Sequence, residues 1–188
     1  MPSGYFSNPI IFLIEALFGI YMAIVALRII MQWAEWEYHN PLVTVIIRIT
    51  QVPVKFLRRF IPAVGRWDTA TIILLLLLSM IKLLLISVLQ AGLPQPIALG
   101  LFIVADIFSL FITLFTVSII VEVILSWLSP QGSYNPITPL ITRMNTPLLR
   151  PIRQVLPTMG GIDLAPLIAL LALQIISMLV MPILTGQL

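Results

Sequence analysis

The sequence predicts an all-α membrane protein. It has four transmembrane helices in two parallel two-helix repeats, each with a proline-bent amphipathic interfacial helical segment on the cytoplasmic side. Three observations lead there. Of the 188 residues 60% are hydrophobic and only 9% charged, with a mean hydropathy of +1.12, whereas a soluble domain carries about a quarter charged residues. Four apolar stretches reach or exceed the roughly 20 residues a helix needs to cross a bilayer. Finally, the stretch Asn135–Pro166 has a diverged copy ninety-five residues earlier.

The copy aligns without a gap. Asn40 and Pro41 match Asn135 and Pro136. Arg48, Lys55 and Arg58 match Arg143, Arg150 and Arg153, and Pro62, Gly65 and Asp68 match Pro157, Gly160 and Asp163. An internal repeat sets the architecture before any single element does, so residues 1–94 and 95–188 are read as two units.

The first span is expected at about residues 9–33. Met1–Asn8 has no Lys or Arg and so lacks the basic start of a signal peptide; this span is expected to stay in the mature protein. The others are expected at about 69–89, 97–128 and 164–184. Backbone polar groups find no water in hydrocarbon, so each must be a helix. The segment Ala34–Asp68 holds five Lys or Arg and Ser129–Asp163 holds three, while Gln90–Pro96 and both tails hold none. Positive charge marks the cytoplasmic side. That puts both long connections inside and both termini in the periplasm, and makes the repeats parallel, related by an axis along the membrane normal.

Each connection is itself largely apolar, with polar residues recurring at steps of four and three, the spacing of one helix face. Such a helix suits the membrane interface. Pro53 in the first copy and Pro147 and Pro151 in the second predict two short helices per connection. Thr146 would cap the later helix and Pro147 would open it. Gly160 and Gly161 predict a tight turn, and Asp68 and Asp163 are expected to cap the following spans. A plain structural account has basic residues hold orientation, prolines set bends and aspartates cap helices. A sharper one has Arg48, Lys55, Arg58, Arg59, Arg143, Arg150 and Arg153 bind anionic lipid headgroups or a membrane-protein partner, beside a helix N-terminus.

The stretch Thr146–Pro166, read T-P-L-L-R-P-I-R-Q-V-L-P-x-x-G-G-I-D-L-A-P, closely resembles the signature of the YggT (YGGT-repeat, YlmG-like) membrane proteins. The degenerate copy at Gln51–Asp68 fits the two-repeat proteobacterial form. That copy departs from the motif, with Phe56, Arg66 and Thr71 where the second has Pro151, Gly161 and Pro166, so a role needing the full motif rests on the second. The resemblance implies a multi-pass protein of the bacterial inner membrane, with links to osmotic stress in proteobacterial members. In other relatives it implies links to cytochrome b6 haem assembly, nucleoid distribution and division. It implies no catalytic residue.

Five ionisable residues fall within the spans: Glu15, Arg28, Lys82, Asp106 and Glu122. Charge there is costly and marks a functional candidate whose partner must be named. Arg28 and Glu122 each precede a tryptophan, Trp33 and Trp127, by five residues, about 7–8 Å of helix. These two are expected to pair across the axis. Glu15, Lys82 and Asp106 lie toward the outer side and are expected to form a second buried network, unless each snorkels alone.

With no Cys and one His, His39, thiolate metal sites, disulfides and bis-His haem ligation are excluded. None of the hydrolase, zinc-protease or phosphate-loop motifs occurs. The expectation is a non-enzymatic scaffold or assembly factor without cofactor, metal or nucleic-acid partner. The other reading is a potassium or proton transport component built on Glu15, Lys82 and Asp106, which would need a homo-oligomer or a host channel.

Overall fold

The computed structural model describes residues 7–63, 65, 67–90, 92, 94–128, 135–156 and 163–186. It contains α1 (Ser7–Trp33), α2 (Pro41–Leu57), α3 (Thr69–Leu89), α4 (Pro96–Leu128), α5 (Thr138–Val155) and α6 (Ala165–Thr185). No strand occurs among the described residues. Helices α1, α3, α4 and α6 are long and apolar enough to cross a membrane, with bounds within about two residues of those read from hydropathy.

Packing follows chain order. α1 lies against α3 and α4 against α6, while α3 and α1 meet α4. α2 folds back on α1 and α3, the helices it joins, and α5 folds back on α4 and α6. Both connecting helices therefore sit at one end of the bundle. Met22, Val25 and Ala26 of α1 pack with Val54 and with Ala70, Leu74 and Leu75 of α3. Ile119 of α4 packs with Leu149 and with Ala165, Ala169 and Leu173 of α6. A third cluster joins the halves: Ile30, Met31, Trp36 and Val43 meet Leu140 and Met144.

The expected pair of short helices per connection is not found. α2 runs unbroken through Pro53, and α5 through Pro147 and Pro151. A proline costs the helix one hydrogen bond, but buried side chains anchor both sides of Pro53, Thr50 and Val54, and of Pro147, Asn145 and Leu149; Pro151 follows the buried Leu149 near the exposed end of α5. Tertiary packing outweighs local propensity. Thr146 accordingly sits inside α5, its hydroxyl donating to the Thr142 carbonyl at 2.5 Å, rather than capping a new helix.

The chain leaves α1 through a turn at Glu35, a non-glycine residue at φ +52°. The Trp36 N–H reaches back to the Met31 carbonyl at 3.1 Å, and Trp36 packs against Met31 in the third cluster. A left-handed residue followed by a hydrophobic one is the usual way to close a helix and turn the chain inward.

Candidate functional site: two charged centres at one end of the bundle

Within the first half, Arg28 is buried in the spans yet charged. Its Nη1 donates to Thr50 Oγ1 at 2.7 Å, and both terminal nitrogens lie 3.4 Å from Gln51 Oε1. Its Nη2 is 3.6 Å from Asp68 Oδ2. Asp68 also takes a two-pronged contact from Arg58, Nε to Oδ1 at 3.2 Å and Nη2 to Oδ2 at 2.6 Å. Thr71 Oγ1 adds a third donor at 2.7 Å, and the Asp68 N–H donates to Gln32 Oε1 at 3.2 Å.

Burial alone would raise the Asp68 carboxyl. Hydrogen bonds from Arg58 and Thr71, with the charges of Arg58 and Arg28, outweigh it and hold the group below the usual carboxylate range. The hydrogen bond to Asp68 in turn lifts the Arg58 guanidinium above its ordinary value, against a smaller opposing effect of burial. Asp68 holds the N-cap position of α3, but its carboxylate makes no capping bond. Arg58 and Thr71 have taken its lone pairs instead.

The second half builds a centre of opposite sign. Glu122 Oε2 accepts from Asn145 Nδ2 at 2.6 Å, and Oε1 is 3.7 Å from Arg153 Nη2. Arg153 Nε donates to Asp163 Oδ2 at 2.9 Å. Here the aspartate does cap its helix, with Oδ1 accepting the Ala165 N–H at 2.9 Å. Asn145 is held from behind by the Ser118 hydroxyl, 2.6 Å from Oδ1. A cavity of about 320 Å³ opens against Glu122, Arg153, Asp163, Trp127 and Pro166.

So Arg28 and Glu122 do not pair. Each finds nearer partners on the helix that follows its own span, Thr50 on α2 and Asn145 on α5. Thr50 and Asn145 stand at the same ninety-five-residue offset as the basic motif. Both are fully buried, and sequence reasoning passed over both. A polar residue recurring at the repeat offset on an apolar face was the signal available.

Arg143 leaves its own half. Its Nη1 donates to the Glu35 carbonyl and its Nη2 to Glu37 Oε1, each at 2.7 Å. Asn40 also bridges the halves, donating from Nδ2 to the Pro136 carbonyl at 2.7 Å while Oδ1 accepts the Leu42 N–H at 2.9 Å. Pro41 opens α2. Asn135 Oδ1 accepts the Ile137 N–H at 2.9 Å. The Pro62 carbonyl accepts from Thr69 Oγ1 at 2.6 Å, and Gly65 turns at φ +60°. Pro166 is buried in the first turn of α6, and Pro151 lies exposed in α5. Pro157, Gly160 and Gly161 lie outside the described residues.

Farther along the spans, Asp106 accepts from Lys82 and, at 2.6 Å, from Ser79 Oγ. Glu15 does not join them. It is exposed on α1, so the expected three-residue network reduces to Lys82, Asp106 and Ser79, which meet where α3 packs on α4.

Four of the basic residues remain. Arg48, Lys55, Arg59 and Arg150 are exposed, and no hydrogen bond or ion pair joins them to another described residue. Arg48 and Lys55 share one face of α2, at the seven-residue spacing of a helix, and Arg59 follows in the turn just past its end. Beside them runs an exposed apolar stripe, Leu42, Val45, Ile49, Val52 and Phe56. Among the described residues no His, Cys, Asp or Glu cluster could hold a metal.

A CCB3/YggT family model matches the chain over residues 7–89 and again over 101–184. The chain is 39% identical over 171 residues to a protein of Escherichia coli strain K12 carried as "Uncharacterized protein YggT", covering 91% of this chain and 88% of that one. An uncharacterized protein of Pseudomonas aeruginosa is 39% identical over 172 residues, covering 90% and 87%. One from Vibrio alginolyticus is 33% identical over 171 residues, covering 89% and 90%. No solved structure matches. With two family-model matches that together span most of its length, the chain belongs to the CCB3/YggT family of multi-pass membrane proteins.

Proposed function

We propose that this protein is a non-enzymatic membrane scaffold of two parallel repeats, held in the bacterial inner membrane with the α2/α5 end in the cytoplasm and both termini in the periplasm. Its working surface is the exposed basic face of α2, Arg59 in the turn that follows it, and Arg150. The observation that carries this is the division of the basic motif. Arg58, Arg143 and Arg153 hold carboxylates of their own chain. Arg48, Lys55, Arg59 and Arg150 are left exposed for an external anion. A basic face beside an apolar stripe suits anionic headgroups at the membrane surface, or an acidic partner seated there. Tolerance of osmotic stress is the role the family resemblance suggests.

The test is purification from native membranes into lipid nanodiscs, with lipids and proteins identified by mass spectrometry. Replacing Arg48, Lys55, Arg59 and Arg150 by Ala is expected to cut anionic-lipid or partner enrichment by at least about tenfold without unfolding the chain. Unchanged enrichment sinks the reading. A second reading, ion transport, is favoured by the Lys82–Asp106 pair inside the spans. It requires flux in liposomes that Asp106→Asn abolishes.

A further inference from the structure

The junction between the halves is incompletely filled. A cavity of about 360 Å³ lies among α1, α2, α4 and α5, walled by Leu27, Trp36, Ile46, Val121 and Met144. That is the low end of the roughly 300–1,000 Å³ of small-ligand pockets. Its walls are almost wholly apolar; the Ser118 hydroxyl among them is already engaged with Asn145. A second cavity, about 420 Å³, shares Trp36 with the first and is lined besides by Met31, Gln32, Glu35 and Tyr38. The Trp36 indole N–H is buried and has no acceptor among the described residues.

The mouth of the apolar cavity says what can reach it. Its rim includes Leu42, Val45, Val117 and Ile137, all exposed. Val117 stands eleven residues inside the end of α4, about 16 Å along the helix, so its exposed face meets bilayer hydrocarbon. An occupant therefore enters sideways from the membrane. It must be apolar at one end and polar at the other, because an apolar and a polar cavity adjoin at Trp36.

We propose that one bilayer glycerophospholipid is bound between the two halves, an acyl chain in the apolar cavity and its polar end beside Trp36, Gln32 and Tyr38. The lipid completes the third hydrophobic cluster and couples the halves. This site is separate from the basic face of α2, and either assignment can fail alone.

The experiment is native mass spectrometry of the full chain extracted in mild detergent and washed extensively. The wild type is expected to retain a single phospholipid per chain. Val45→Trp with Val117→Trp, both at exposed rim positions, blocks the mouth and is expected to bring retained lipid to background. Arg48→Ala with Lys55→Ala and Arg59→Ala is expected to keep it. A wild type that retains no lipid, a rim variant that retains it as tightly as the wild type, or a second protein chain in its place overturns the proposal. If the double variant does not fold, Val117→Trp alone gives the same reading.

Discussion

At the scale of single residues, Asp68 gathers more side-chain partners than any other carboxylate among the described residues. It is buried, serves Arg58 and Thr71, and lies 3.6 Å from Arg28. Removing one partner of a buried ion pair strands the other. Asp68→Asn is expected to cost about 3 kcal/mol, measured by unfolding in detergent micelles. The sign of the pH dependence follows. A carboxyl depressed in the folded state adds stability above its unfolded value, near 3.9, and loses it as pH falls through the folded value. The wild type is therefore expected to hold its stability at neutral pH and lose it below about pH 4. Asp68→Asn should lose that acid-side dependence at this site. Asp163 is more exposed and still serves as a cap, so its Asn variant is expected to cost less.

Among elements, the two connecting helices share a plan and differ in their outer faces. Both press a polar residue into their half, Thr50 against Arg28 and Asn145 against Glu122. One centre has two cations to one anion, the other two anions to one cation. α2 turns an apolar stripe outward, whereas α5 exposes Thr142, Arg143, Thr146, Pro147, Arg150 and Pro151. α2 thus sets basic residues beside an exposed apolar stripe, and α5 reaches across to the other half through Arg143. Asn40 fastens both, as N-cap of α2 and as donor to Pro136. Asn40→Ala is expected to cost about 1–2 kcal/mol. Because it cuts a bond between halves, it should also hasten hydrogen exchange in the first turns of α2 and α5.

For the whole molecule, four spans and two folded-back helices make one end of the bundle polar and the other plain. The cysteine-free chain permits single-Cys labelling without a prior background deletion. With the α2/α5 end inside, Gln95→Cys is expected to react with an impermeant maleimide in intact cells, and Arg150→Cys only after permeabilisation. The reverse pattern inverts the proposed orientation. Contacts between the halves are sparse beside those within each, which is why a lipid at the junction would matter to the whole assembly.

How much of this was legible in the chain depends on the range of the interaction concerned. Span number and limits were readable, because hydropathy over twenty residues is a sum that needs no neighbour. The pairing of Arg58 with Asp68 and Arg153 with Asp163 went unread, since the arginines were assigned to an external anion and the aspartates to helix caps, although both pairs share a ten-residue spacing. The family was legible in Thr146–Pro166. Local signals misled where packing overruled them: Pro53, Pro147 and Pro151 read as breaks but lie inside continuous helices, and Asp68 read as a cap but serves arginines. Only the tertiary structure decided which charges meet. Arg28 could have turned to Glu122 at the same depth, but α2 folds back and sets Thr50 and Asp68 nearer. Glu15 and Asp106 share a depth band, yet α1 turns Glu15 outward. Sequence by itself determined what must lie in the membrane, since the cost of desolvation belongs to each residue. Partner choice falls off within a few ångströms, so it waited on the rotation of each helix about its axis, which only packing supplies.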